Sequence, residues 1–238
     1  MILLEIETVL ADTAAARREA LLGALAAEGV PVGEREYDDA YAGLPTRSAA
    51  RAALARHGRA DDETAADLVT LRAERAFADR VAAGGVTLAP GARGFVSEAA
   101  GRARLAVVTR ARRADVDALL ALADLTYAFS CVVAADDEPE QKPSPAGYRR
   151  ALARLARTGG APVDDLAHRV VALEDGLPGI RAAHAAGLRC VAVGPLAAHA
   201  ALEADAAVAS LAGQTPESLV ALATPDSSLG AASEARRR

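Results

Sequence analysis

The sequence predicts a doubly wound, Rossmann-like α/β fold with a parallel sheet and a small all-helical cap inserted after the first strand. Short runs of Val, Leu and Ala recur along the 238-residue chain with helical segments between them, which is typical of such sheets. These runs are continuously apolar, as expected of parallel strands buried on both faces. Between residues 14 and 85 this alternation of strand and helix patterns stops and only helical patterns remain, which predicts the cap.

Six runs have the composition of buried strands: Ile2–Ile6, Arg104–Val108, Cys131–Ala135, Val170–Leu173, Cys190–Val193 and, more weakly, Ala206–Ala209. Helices are predicted between them over Asp115–Ala123, Pro145–Arg157 and Pro178–Ala186, the last closed by Gly187 as a C-cap. We therefore expect residues 1–13 and 86–223 to form the α/β core.

The cap is expected to span residues 14–85. Its four predicted helices are Ala14–Glu28, Glu34–Tyr41, Arg47–His57 and Thr64–Ala83. The end of the sequence, residues 224–238, is rich in small and polar residues and is predicted to be a disordered tail.

Composition and charge exclude several classes of function. The net charge is −5 and no cluster of basic residues stands out, which argues against nucleic acid as a partner. The N-terminal apolar run contains Glu5 and Glu7 and has no basic flank, unlike a signal peptide. No apolar stretch reaches membrane-spanning length, so we expect a cytoplasmic protein. Cys131 and Cys190 lie in apolar runs and are interpreted as buried thiols, with a disulfide or metal pair as the alternative.

The carboxyl ends of the predicted strands carry the residues suited to chemistry. In open α/β sheets, ligands bind outside these ends. The residues found there are Glu5 and Glu7, then Thr109 and Arg110, then Lys142, then Glu174 and Asp175. Carboxylates suit a hard cation such as Mg²⁺, while hydroxyl, ammonium and backbone N–H donors suit phosphoryl oxygens. The pattern predicts a site for a divalent metal and a phosphate.

The order and spacing of these residues resemble the haloacid dehalogenase superfamily, in the phosphoglycolate phosphatase and β-phosphoglucomutase subgroup with a helical cap. The resemblance extends from about Ile2 to Val220. It rests on four motifs: Glu5-Ile6-Glu7-Thr8-Val9 where the family has Asp-x-Asp-Gly-Thr, Thr109 after a Val-rich strand, Lys-Pro-x-Pro-x-x-Tyr over Lys142 to Tyr148, and Glu174-Asp175-Gly176 before a Pro-Gly helix start. Pro90-Gly91 also lies where the family returns from cap to core.

This resemblance assigns a role to each position. It implies Glu5 as nucleophile and Glu7 as acid and base, with Thr109 and Lys142 completing the catalytic set. It implies substrate contacts from Thr109, Arg110 and Lys142, and from Arg47 in the cap. The metal ligands would be Glu5, Glu7, Glu174 and Asp175, holding Mg²⁺. The competing interpretations are exposed acids for Glu5 and Glu7, a helix N-cap for Thr109 and a solvated first-turn arginine for Arg47.

The first motif departs from the family pattern. Glutamate replaces aspartate at positions 5 and 7, and the extra methylene displaces each carboxylate. A misplacement of about 1 Å at a reacting centre costs on the order of 100-fold in rate. Thr8 and Val9 also replace a Gly-Thr pair, so the loop loses its flexible residue.

Lys142 argues for a retained binding site. The chain has 26 arginines and this single lysine, which falls where the family needs a compact ammonium that arginine does not replace. We therefore predict a Mg²⁺-dependent phosphatase acting on a small phosphorylated metabolite, with impaired or atypical catalysis. The alternative is a catalytically inactive protein of this fold that binds a ligand or a protein partner.

Overall fold

The computed structural model describes residues 1–159, 169–195 and 201–224. The chain divides into two compact units. One contains Met1–Leu10, Ala89–Arg113 and Leu125–Arg238, and we call it the sheet unit. The other contains Ala11–Leu88 and Ala114–Asp124, and we call it the helical unit. Of the predicted disordered tail, residues 224–238, all positions from 225 onwards lie outside the described residues.

In chain order, the strands are β1 (Ile2–Leu4), β2 (Ala11–Asp12), β3 (Thr87–Leu88), β4 (Leu105–Val108), β5 (Cys131–Val133), β6 (Val171–Glu174), β7 (Arg189–Val193) and β8 (Ala206–Val208). The helices are α1 (Ala14–Ala27), α2 (Glu34–Ala40), α3 (Thr46–Arg56), α4 (Glu63–Ala82), α5 (Ala92–Ala100), α6 (Arg113–Ala123), α7 (Ala146–Gly159), α8 (Leu177–Ala185) and α9 (Pro216–Leu222). A 3-10 turn covers Ala135–Asp137.

The sheet unit is built on six parallel strands in the order β5-β4-β1-β6-β7-β8. This confirms the predicted doubly wound fold. Leu4 of β1 lies opposite Val107 of β4 and Leu173 of β6. Because these strands run in the same direction and in register, the residues that follow them emerge side by side at one edge of the sheet.

The core of the sheet unit explains why the strands are continuously apolar. Every residue of β1, β4 and β6 is buried. Alternate strand residues such as Leu3 and Ala172 pack in one cluster with Tyr148 and Leu152 of α7 and Ile180 of α8. Burial on both faces is what the unbroken Val, Leu and Ala runs predicted.

The helical unit contains α1 to α4 and most of α6, together with an antiparallel pair of two-residue strands, β2 and β3. Its core is rich in alanine, with Ala50 and Ala53 of α3 packed near Leu54 and Val69. Within this unit, the Arg17 guanidinium lies 3.4 Å from the centroid of the Phe77 ring. Across the described residues, no helix is both long and apolar enough to span a bilayer.

The boundaries of the predicted elements agree with the structure to within two residues, and two of the two-residue differences lie at strand ends. The first strand was predicted to reach Ile6 but ends at Leu4, because the Leu10 amide turns back to the Ile6 carbonyl, at 3.1 Å. The third was predicted to reach Ala135 but ends at Val133, where the 3-10 turn follows. Helices α5 and α9 and the pair β2–β3 were not predicted.

Replacing Gly91 by alanine is expected to lower the free energy of unfolding by roughly 1–3 kcal/mol. Gly91 has a φ of +81°, and a Cβ atom there would lie 2.3 Å from the backbone nitrogen of Ala212. Gly94, inside α5, has nothing within 4 Å of such an atom, so Gly94→Ala is the matched control and should stabilise by up to about 1 kcal/mol. Urea denaturation of both variants measures the effect, and equal stabilities would contradict this account.

Candidate active site

Glu5 follows β1 and lies buried at the edge of the sheet, with 5% of its surface exposed. Its backbone N–H donates to the Leu173 carbonyl at 2.9 Å, which continues the β1–β6 pairing by one residue. One carboxylate oxygen, Oε1, accepts hydrogen bonds from the amides of Ile6 at 2.8 Å and Glu7 at 3.3 Å, and from the Thr109 hydroxyl. The interpretation of Glu5 as an exposed strand-end acid is therefore wrong.

Lys142 places its ammonium group between two buried carboxylates. Its Nζ atom lies 2.6 Å from Glu5 Oε2 and 2.6 Å from Glu174 Oε1, and it donates to the Val108 carbonyl at 2.8 Å. The lysine side chain is 6% exposed. A lysine ammonium has three N–H donors, and these three partners match them one for one.

Glu174 ends β6 and is fully enclosed, with 1% of its surface exposed. The Tyr148 hydroxyl donates to its Oε1 atom. On the other side, a Cβ atom at Gly179 would lie 1.8 Å from Glu174 Oε2. A side chain at position 179 would therefore displace the Glu174 carboxylate, which packs directly against that backbone.

The pKa values follow from burial and from this lysine. Burial disfavours a charged Glu5, but Lys142 and Thr109 outweigh it and hold the pKa of Glu5 below its usual value. Burial raises the pKa of Glu174 to about 7, with Lys142 opposing and Glu5 adding to the rise. Burial and the Glu5 charge raise the pKa of Asp175 to about 6. One ammonium thus stabilises one carboxylate well and leaves its neighbours easier to protonate.

The loop after Glu7 keeps a left-handed turn although it lacks glycine. Thr8 has a φ of +66°, a conformation that costs a β-branched residue about 1–3 kcal/mol. A hydrogen bond from the Thr8 side chain lowers the pKa of Asp175 against the effect of burial. Thr8 therefore adopts this turn at the cost of backbone strain, which a glycine at the same position would avoid.

The remaining predicted residues lie in different surroundings. Thr109 donates to Glu5 and its hydroxyl also accepts from the Ala111 amide at 3.1 Å. Because α6 begins only at Arg113, Thr109 is not the N-cap of that helix. Glu7 is half-buried, and so is Arg110, whose positive charge lowers the pKa values of Glu5 and Asp175.

Arg47 belongs to the helical unit, where it forms surface ion pairs. Its Nη2 atom lies 2.8 Å from Glu63 Oε2 and its Nε atom 2.9 Å from Asp67 Oδ1. The guanidinium is about half exposed. A role for Arg47 in binding substrate stays a prediction.

The carboxylates predicted to bind Mg²⁺ are not arranged as a metal site. Glu5 and Glu174 both turn towards Lys142, and Asp175 is hydrogen-bonded by Thr8. Within the described ranges, no three Asp, Glu, His or Cys side chains gather so that they could hold a metal ion. As placed, these side chains do not gather around a common point, so we assign no step to a divalent cation. The proposed metal ligands Glu5, Glu7, Glu174 and Asp175 stay a prediction.

Two contributions to the site were not predicted from the sequence. Tyr148 was noted only as the last residue of its motif, yet its hydroxyl binds Glu174. The amides of Ile6 and Glu7 also contribute donors to Glu5. The signal for Tyr148 was its place in the third motif, six residues after Lys142.

Fold and site together define a class of protein. The model of the haloacid dehalogenase-like hydrolases matches residues 3–187, and the chain belongs to that family. It is 35% identical over 200 residues to the protein CbbY of Cereibacter sphaeroides, covering 80% of this chain and 82% of that protein. It is 31% identical to CbbY of Rhodobacter capsulatus over 80% of this chain and 83% of that one.

Solved structures of CbbY and of other proteins with this fold are also similar to this chain. The crystal structure of CbbY from Rhodobacter sphaeroides in complex with phosphate has a TM-score of 0.75 and 30% identity, covering 92% of this chain and 98% of that one. A mutant of the same protein was crystallised with xylulose-(1,5)bisphosphate. A β-phosphoglucomutase from Clostridium difficile has a TM-score of 0.76 at 14% identity, over 93% and 96% of the two chains, and so shares the fold.

Proposed function

We propose that this protein binds a small phosphorylated metabolite, most simply a sugar phosphate, and hydrolyses its phosphoester at an impaired rate. One observation carries the proposal. The amides of Ile6 and Glu7, the Thr109 hydroxyl and the Lys142 ammonium all converge on one anionic group at the carboxyl edge of the sheet. Phosphoryl oxygens are recognised by the same kinds of donor.

The relatives support this class of ligand. CbbY from Rhodobacter sphaeroides binds phosphate, and a mutant of it binds xylulose-(1,5)bisphosphate. At 30% identity over most of both chains, we extend the class of small sugar phosphates to this protein.

The hydrolytic step assigns a role to each carboxylate of the first motif. A Glu5 oxygen would attack phosphorus and form an acyl phosphate, while the ester oxygen leaves with the bonding electron pair and takes a proton from Glu7. Glu7 would then remove a proton from the water that attacks phosphorus and releases phosphate, which returns the Glu5 carboxylate. Thr109 and Lys142 would stabilise the charge on the phosphoryl oxygens.

The same geometry supports the expectation of an impaired rate. Both oxygens of Glu5 already accept hydrogen bonds from Lys142, Thr109 and the backbone, and the group is 5% exposed. Attack on phosphorus requires a lone pair of a Glu5 oxygen to be aligned with the ester, and hydrogen bonds that hold the carboxylate in another position oppose this alignment. This observation also favours the alternative of a catalytically silent protein that only binds a ligand or a protein partner.

Phosphate release from a panel of sugar mono- and bisphosphates, including xylulose 1,5-bisphosphate, tests the proposal with and without Mg²⁺. We expect slow release by the wild-type protein that disappears in Glu5→Gln and falls at least about tenfold in Thr109→Val, which removes one oxyanion donor. Glu217→Gln, an exposed acid of α9, is the control and should leave the rate unchanged. Release that persists in Glu5→Gln would exclude Glu5 as nucleophile. Binding of a sugar phosphate from the panel without any phosphate release would support the alternative of a catalytically silent binding protein.

A further inference from the structure

We infer that the carboxylate of Glu5 occupies the phosphate subsite itself, as an internal anion that a phosphorylated ligand must displace. This inference rests on the proposed function, since it concerns the same site. It goes further in assigning the altered first motif a second effect: the glutamate blocks ligand binding as well as misplacing the nucleophile.

The donors of the subsite are all engaged by this side chain or by its neighbours. The single hydroxyl proton of Thr109 goes to Glu5, and so do the amides of Ile6 and Glu7. Lys142 has one N–H for Glu5, and its other two are matched by the Val108 carbonyl and Glu174. A phosphoryl group can receive these four donors only after Glu5 gives them up.

The length of the side chain makes this occupation sterically simple. Oε1 of Glu5 folds back to within 2.8 Å of the amide nitrogen of the next residue, Ile6, while Oε2 reaches Lys142 at 2.6 Å. One carboxylate therefore bridges the backbone donors and the ammonium, as an oxyanion of a ligand would. An aspartate has one C–C bond fewer, about 1.5 Å, and its carboxylate stops short of this position.

Displacement of Glu5 opposes binding. The bonds from Lys142 and the amides are charge-assisted and buried, which makes them stronger than ordinary hydrogen bonds. A ligand therefore binds only the fraction of molecules in which Glu5 has moved aside, and its apparent affinity falls by that fraction.

Calorimetric titration of inorganic phosphate, without added metal, into the full-length wild type, Glu5→Ala and Glu5→Gln tests the inference. Glu5→Ala vacates the subsite. Glu5→Gln removes the same charge but keeps the bulk and an acceptor oxygen, so it separates occupation from electrostatic repulsion. We expect phosphate to bind Glu5→Ala at least tenfold more tightly than Glu5→Gln, and Glu5→Gln no less tightly than wild type.

Three outcomes overturn the inference and separate it from the proposed function. If wild type and Glu5→Ala bind phosphate with equal affinity, Glu5 does not block the subsite. The phosphate site of the proposed function would still stand in that case. Equal affinity of Glu5→Gln and Glu5→Ala assigns the effect to charge alone. No binding by any of the three, all folded by circular dichroism, removes both the inference and the phosphate site. If Glu5→Ala does not fold, Glu5→Ser replaces it in the experiment, because its small hydroxyl can accept a hydrogen bond from the donors that Glu5 has left.

Discussion

Restoring aspartate at positions 5 and 7 is expected to raise kcat/KM for phosphoester hydrolysis by at least about 100-fold over the wild type. In Glu5→Asp, the shorter side chain withdraws its carboxylate from the donors that Glu5 now occupies. It thereby frees Thr109 and Lys142 for the phosphoryl oxygens and brings the nucleophile to the position that the family uses. Glu7→Asp moves the acid and base by the same bond length.

The gain should be concentrated at position 5. Glu5→Asp alone is expected to account for most of the increase, because it changes both the attacking oxygen and the access to the subsite. Steady-state phosphate release from the sugar phosphate panel gives kcat/KM for Glu5→Asp, for Glu7→Asp and for the double variant. Glu5→Asn combined with Glu7→Asp is the matched control, since it has the shorter side chain without a nucleophile and should stay silent. A double aspartate variant no faster than wild type would contradict the prediction and place the defect in the loop at Thr8 and Val9.

The fold was largely predictable because each strand is buried on both faces and is therefore continuously apolar. Runs such as LAVV at Leu105–Val108 have few other interpretations. Length alone did not decide which helices could be located, since α2 and α9 both have seven residues and only α2 was predicted. Strand ends were less predictable. Whether Ile6 continues β1 depends on the hydrogen bond from Leu10, which is a property of the folded turn.

The site was predictable as a set of positions, since parallel strands in register end at one edge. Its bonding was not predictable. Nothing in the sequence fixes which carboxylate receives Lys142, because this depends on side-chain length and on competing donors such as Tyr148. Charge alone suggested that the acids would bind a cation from solution. In the structure, Lys142 lies 2.6 Å from two of these acids, Glu5 and Glu174.

Replacing Lys142 by methionine is expected to lower the free energy of unfolding by about 3–5 kcal/mol, the cost of removing one partner from a buried ion pair. Glu5 and Glu174 would remain buried with their main positive partner gone, although methionine fills a similar volume. Urea denaturation at neutral pH, with the midpoint compared at constant m-value, measures the loss. Arg150→Met is the matched control, because Arg150 pairs with Glu138 at 2.9 Å but is 42% exposed, and such surface pairs contribute about 0–1 kcal/mol.

A double-mutant cycle separates the loss of the ion pair from the loss of packing. Adding Glu5→Gln to Lys142→Met removes the buried charge that the single variant leaves uncompensated. The double variant should therefore be more stable than the sum of the two single effects, by on the order of 1–3 kcal/mol. Strict additivity would show that Lys142 stabilises the protein through packing or through Glu174 alone. A clear coupling would mean that the first and third motifs are held together by their own opposite charges, in the place where a phosphorylated ligand is expected to bind.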